Sequence, residues 1–247
     1  SIRKPTAWES ARRRLTMTTQ ASRSTANGAG TARGAGLRPI SNGVGATGEV
    51  MLGYGKPTHG RDTAKLAGRR LHVRQAREGE TLLCLDGQVR KLRPGMLVVA
   101  DEKGPVAIGG IIGGEESGVS ETTTEVVIES AAWDGVNTRA TSRALNLRTE
   151  ASARHEKGLA PELAMAGARR AAALGREGGG GEVHAEWNDV YPGPQQPIRV
   201  HLDPRRGGGV LGVHVPTEEP QTMPRGPSVP VAALEEGRWA VRRRGCR

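Results

Sequence analysis

The sequence predicts an α+β fold: a mixed or antiparallel sheet core with helices, followed by a small second α+β unit. Three observations carry this. Short apolar runs separated by turn signals fill residues 71–130, and helix-like periodicity follows from Asp134 to Leu174. Strands first and helices afterwards do not make the alternating pattern of a doubly wound sheet. A proline-rich stretch, Tyr191–Pro197, then separates residues 37–192 from residues 193–247.

Each element has its local reason. Residues 1–36 carry little periodic hydrophobicity. Thr16–Gly36, rich in Thr, Ser, Ala and Gly, reads as a loop or disordered, so order is expected from Leu37 onward. Glu49–Leu52 is short and apolar. Gly55–His59 is a turn, because Pro57 disfavours helix just before it. Strands are expected over Leu71–Ala76, Thr81–Leu85, Val89–Leu92, Leu97–Ala100, Val106–Ile112 and Glu125–Ser130. Asp86-Gly87 marks a hairpin. Asp134 is placed to cap a helix through Leu145, with Asn146 suited to its C-terminal end. Ala-rich Pro161–Leu174 predicts a second helix. Glu177–Gly181 reads as a flexible glycine run and Ile198–Leu202 as a strand. Asp203-Pro204 offers a weak helix cap, and Pro220–Pro230 has no pattern.

The 247 residues carry 36 Lys+Arg against 26 Asp+Glu, a formal net charge of +10. That balance favours a polyanionic partner, with tRNA or another nucleic acid the natural class. There is no phenylalanine, so the core must rely on Val, Leu, Ile and Ala. The shortage of aromatics also argues against a single-strand binder built on base stacking. Cys84 and Cys246 are too distant for a metal cluster or a disulfide framework, and no metal ligands are assigned. No apolar run approaches a membrane span and no signal peptide is visible. A cytoplasmic protein without membrane attachment is expected.

The chemistry-bearing residues concentrate in Gly109–Pro161. Gly109-Gly110 and Gly113-Gly114 fit neither a dinucleotide fingerprint nor a P-loop. They are tight turns, or backbone that a ligand approaches without a Cβ in the way. Glu129 ends an apolar run, where a carboxylate needs a hydrogen-bonding partner unless it sits at the surface. His59 follows Pro57 in a turn, and Thr149-Glu150-Ala151-Ser152 reads first as a helix cap. No catalytic triad is evident.

Four segments resemble one family in order: RPISNGVGATGEVMLGYGKPTHGRD (Arg38–Asp62), AREGETLLCLDGQVRKLRPGMLVVAD (Ala76–Asp101), GPVAIGGIIGGEESGVSETTTEVVIESAAWD (Gly104–Asp134) and TRATSRALNLRTEASARHEKGLAPE (Thr138–Glu162). They resemble bacterial phenylalanyl-tRNA synthetase β subunits, across the B3/B4 editing domain. IRVHLDPRRGGGVLGVHVPTEE (Ile198–Glu219) resembles, more weakly, the start of the B5 domain, here truncated. Residues 16–35 and 217–231 match nothing in the family. The family motif Pro-Leu-His-Ala-Phe-Asp reads Pro57-Thr58-His59-Gly60-Arg61-Asp62, and Gly48 replaces an Asn beside Thr47.

The resemblance implies hydrolysis of tyrosine wrongly esterified to tRNA(Phe), within an enzyme that charges tRNA(Phe) with phenylalanine. It implies an α-subunit partner in an (αβ)2 heterotetramer. ATP and Mg²⁺ are implied for the whole enzyme and no cofactor for this chain. Glu129 aligns with the acceptor of the tyrosine hydroxyl, and His59 with the histidine that holds the tRNA terminus or the water. Thr47, Gly109, Gly110, Thr149 and Ala151 align with substrate-pocket positions. The alternative is a non-catalytic tRNA-docking or subunit-assembly fragment that has lost editing.

Overall fold

The computed structural model describes residues 15–21, 42–179, 182–193, 199–202, 231–233 and 239–242, with residues 206, 209 and 212. Its first half holds β1 (Leu15–Ala21), α1 (Asn42–Tyr54), β2 (His59–Asp62), β3 (His72–Gln75), β4 (Thr81–Leu83), β5 (Val89–Lys91), β6 (Leu97–Ala100), β7 (Pro105–Ile108) and β8 (Ile112–Gly113). Then come β9 (Glu125–Ala131), α2 (Gly135–Ala144), α3 (Glu150–His155), α4 (Leu163–Gly179), β10 (Glu182–Val190), β11 (Arg199–Leu202), β12 (Val231–Ala233) and β13 (Trp239–Arg242). The architecture is α+β, and every strand pair among the described residues is antiparallel.

Two compact units result, Ser1–Gly193 and Pro194–Arg247. The first contains a sheet ordered β10-β1-β9-β2, a second ordered β3-β6-β7-β8, and the β4-β5 hairpin. Period-2 alternation divides β9 between two cores. Val126 and Ile128 pack with Val50 of α1 and with Ala171 and Ala172 of α4. Ala131 packs on the opposite side with Trp133 and with Leu97, Val99 and Ala107 of the second sheet. Strand β6 is buried on both faces, because Val98 and Ala100 join a third cluster with Leu82, Cys84 and Leu92. Fully buried Lys56 ties the α1–β2 turn to the end of β9 by donating from Nζ to the Ala131 carbonyl.

The hairpin at Asp86-Gly87 forms as expected. The Gly87 N–H donates to the Cys84 carbonyl at 2.8 Å, and Gly87 takes φ 74°. A three-residue loop that closes on a left-handed glycine has this geometry. Asp134 caps α2, accepting from the Asn137 N–H at 2.8 Å, and Asn146 turns the chain at φ 47°.

Two expectations are corrected. Leu15–Ala21 is not a loop but a strand between β9 and β10. Its threonines favour extended backbone, yet the alternation Leu15-Thr16-Met17-Thr18 stops after four residues and is too short to mark the whole strand. The short apolar segment Glu49–Leu52 lies inside helix α1. Helix α4 continues through Glu177 to Gly179, past the expected glycine break, and strand β10 follows it, ending at Val190 just before the expected linker.

The second unit contains the antiparallel sheet β11-β13-β12, with Arg199 opposite Arg242 and Leu202 opposite Trp239. Residues 22–36, Asp203-Pro204 and Pro220–Pro230 lie outside the described residues.

Candidate functional site

Strand pairing places His59 of β2 directly opposite Glu129 of β9. Opposed residues of an antiparallel pair project to the same face, and so does Arg61, two residues beyond His59. Glu129 therefore does not end its strand. It lies within β9, paired on one side with His59 and on the other with Met17. Its carboxylate is buried, and Arg61 donates to Oε2 at 2.6 Å. The side chains are 1% and 8% exposed, so the ion pair is screened little by solvent. Arg61 also donates to the Val106 carbonyl at 3.1 Å and to Ser117 Oγ at 3.4 Å. Arg61 thus fixes the carboxylate through one oxygen. Among the described residues Oε1 has no hydrogen bond.

His59 has its Nε2 enclosed without a hydrogen-bond partner among the described residues. Burial, and then the nearby Arg61 charge, hold its pKa well below the usual histidine range. The imidazole is therefore neutral near pH 7 and offers an acceptor nitrogen. Gly113 makes room for it: a Cβ there would sit 2.5 Å from His59 Cε1 and 2.6 Å from Nε2.

These residues line a cavity of about 270 Å³. Of the positions singled out in the sequence, His59, Gly110, Glu129, Thr149 and Ala151 meet on its wall. Thr47 and Gly109 do not line it. Thr47 lies half-buried on α1, among residues that pack against the helix face of the sheet. Gly109 and Gly110 sit under the Trp133 indole, where added Cβ atoms would fall 2.6 Å and 2.7 Å from ring carbons. Their missing side chains make space for that ring, and Gly110 in addition takes φ 71°.

Thr149 is both cap and wall. Its Oγ1 accepts from the Ser152 N–H at 3.0 Å while the Thr149 N–H donates to Ser152 Oγ at 2.8 Å. This is a reciprocal capping box on α3. The same hydroxyl donates to the Ile111 carbonyl at 2.8 Å, which holds α3 against the glycine-rich turn.

Sequence reasoning missed Arg61, Trp133 and Leu85 as site residues. Arg61 was visible as an odd cation in a position of a family aromatic, but its partner was not. Leu85, 51% exposed, places an apolar side chain on the wall from the hairpin loop. Among the described residues no three His, Cys, Asp or Glu side chains gather to hold a metal. No helix among them is long and apolar enough to cross a membrane.

A family model described as "B3/4 domain" matches residues 8–180. The chain belongs to the B3/4 domain family. The match begins before β1, so residues 16–35 lie within the family span rather than outside it. This B3/4 chain is 45% identical over 191 residues to the phenylalanine–tRNA ligase beta subunit of Moorella thermoacetica, covering 77% of this chain and 23% of that protein. It is 44% identical over 186 residues to the subunit of the same name from Symbiobacterium thermophilum, covering 75% and 21%. The chain thus spans about a quarter of the length of the curated relatives it matches. A solved N-terminal fragment of the phenylalanyl-tRNA synthetase beta subunit from Pyrococcus horikoshii is 12% identical, with a TM-score of 0.43, covering 92% of this chain and 64% of that one.

Proposed function

We propose that this B3/4 domain hydrolyses the ester of tyrosine mischarged onto tRNA(Phe), as part of a phenylalanine–tRNA ligase beta subunit. The observation that carries the reading is the Glu129 carboxylate, fixed by Arg61 through Oε2 and lining the cavity, with no hydrogen bond to Oε1 among the described residues. An acceptor of this kind selects a hydroxyl. Phenylalanine in the same place would leave the buried carboxylate oxygen unmatched, which costs about 1–3 kcal/mol. The beta-subunit names of the relatives supply the substrate class.

In this mechanism the cavity takes the amino-acid side chain, and Glu129 receives its phenolic hydrogen. His59 Nε2 accepts a hydrogen bond from the attacking water or the terminal ribose hydroxyl. Its depressed pKa makes it a weak base, so it orients more than it deprotonates. The water oxygen bonds to the ester carbonyl carbon, and the bond to the ribose oxygen breaks. Tyrosine leaves as the acid, and the water's other proton ends on the ribose. The whole enzyme would pair this chain with an α subunit in a cytoplasmic (αβ)2 assembly, with ATP and Mg²⁺ serving the charging reaction there.

The test is single-turnover deacylation of Tyr-tRNA(Phe) by the wild type and by Glu129→Gln. Glutamine keeps the shape and a partner for Arg61, whereas Glu129→Ala would strand a buried cation. The expected result is a rate loss of about tenfold to a hundredfold, the span of a lost charged hydrogen bond. Equal rates would remove Glu129 from the mechanism and leave a docking role.

A further inference from the structure

A second cavity, of about 460 Å³, opens at the C-terminal end of α2 and has no part in the mechanism above. Four cations line it, Arg139, Arg143, Arg148 and Lys157, with Glu156 as the one carboxylate. Arg148 takes that carboxylate at 3.4 Å. Arg139, Arg143 and Lys157 make no ion pair among the described residues, and all three are exposed. Arg139 and Arg143 stand one helical turn apart on one face of α2, an arrangement in which like charges repel. Glu156, shared with Arg148, is the one carboxylate on the wall against four cations, so the cavity keeps an excess of positive charge that an anion would relieve.

The lining also states which anion. Arginine forks match phosphate oxygens two at a time. No aromatic side chain lines the cavity, so it has no platform for bases and would read backbone alone. Its position gives the direction. The chain passes from Asn146 and Arg148 on this cavity to Thr149 and Ala151 on the Glu129 cavity, and returns through α3 to Glu156 and Lys157. Helix α3 is six residues, about 9 Å at 1.5 Å per residue, so the two openings lie within a few nucleotides of each other.

We infer that this cavity is a phosphate clamp for the single-stranded 3′ tail of the RNA whose end enters the Glu129 cavity. The inference rests on the proposed function for the identity of the tail, but its test needs no hydrolysis. Binding of a hairpin RNA with a four-nucleotide 3′ overhang is measured against salt. The proteins compared are the wild type, the triple variant Arg139→Gln, Arg143→Gln, Lys157→Gln, and a control triple Lys91→Gln, Arg93→Gln, Lys103→Gln of equal charge loss. Three lost phosphate contacts should flatten the log K against log salt slope by about 2, from roughly 0.7 per contact on single strands. The control triple should keep the wild-type slope, and a blunt hairpin should not distinguish the two triples. Equal slopes for both triples on the overhang RNA overturn the clamp, and so does a clamp-triple slope change on the blunt hairpin as large as the one on the overhang RNA. Failure of the Glu129→Gln deacylation test sinks the editing reading and leaves these slopes to be read independently.

Discussion

Replacing Arg61 by Met leaves the Glu129 carboxylate buried without its cation. Breaking such a pair from one side destabilises by about 3–5 kcal/mol, whereas removing both partners is often close to neutral. Urea unfolding should therefore show a large loss for Arg61→Met and a much smaller one for Arg61→Met combined with Glu129→Met. A loss below about 1 kcal/mol in the single variant, the surface-pair range, would mean the pair does not hold the carboxylate. His59 gives a second prediction at this scale. Its folded-state pKa lies below the ordinary 6.5, so the unfolded chain binds a proton that the native chain refuses. Stability should be full above about 6.5 and fall as pH drops from 6.5 towards the folded-state value. His59→Gln should flatten that segment of the stability–pH curve, and an unchanged slope would assign the proton uptake to other groups. Residue identity made His59 and Glu129 legible as candidates, since a histidine in a turn and an acid after an apolar run are visible locally. The pairing with Arg61 was not, because it depends on a strand register that brings residue 61 beside residue 129.

The elements differ in how much of their cause is local. Helix α2 was readable because Asp134, its cap, and Asn146, its left-handed exit, adjoin it in sequence. The cap of α3 was readable for the same reason. Its second role was hidden, because the Thr149 hydroxyl also reaches the Ile111 carbonyl across the cavity. Thr149→Val removes both bonds while keeping the branched shape. It should cost about 1–2 kcal/mol, as loss of a strong N-cap does. Thr149→Ser should keep most of that stability in the same denaturant titration. If valine and serine behave alike, the hydroxyl is not what seats α3. The glycines carry the opposite lesson. Gly109 and Gly110 looked like backbone kept bare for a ligand, and what fills the space at their Cα atoms is Trp133. A sequence shows that a side chain is missing, but not which neighbour takes its place.

At the scale of the molecule, the sheet that carries Glu129 is closed by the segment with the least local pattern. Leu15 pairs with Ala131 on one side and with Val190 on the other, so β1 joins β9 to β10. No window of a dozen residues contains both partners, and periodicity cannot report a pairing of that span. A chain started at Leu37, where the sequence alone places the onset of order, would lack this strand. Strand β9 would then expose one full edge of N–H and C=O groups, and β10 would lose the strand it pairs with. Long, unprotected edges recruit other chains. The truncated protein should lose the cooperative thermal transition of the full chain and elute as aggregate on size exclusion, even though every residue lining the Glu129 cavity is still present. A monomeric product with an unchanged transition would show instead that β2 and β9 hold the site without β1. The site would then rest on the β2–β9 pair and the second sheet alone, and Met17 would have no part in placing Glu129.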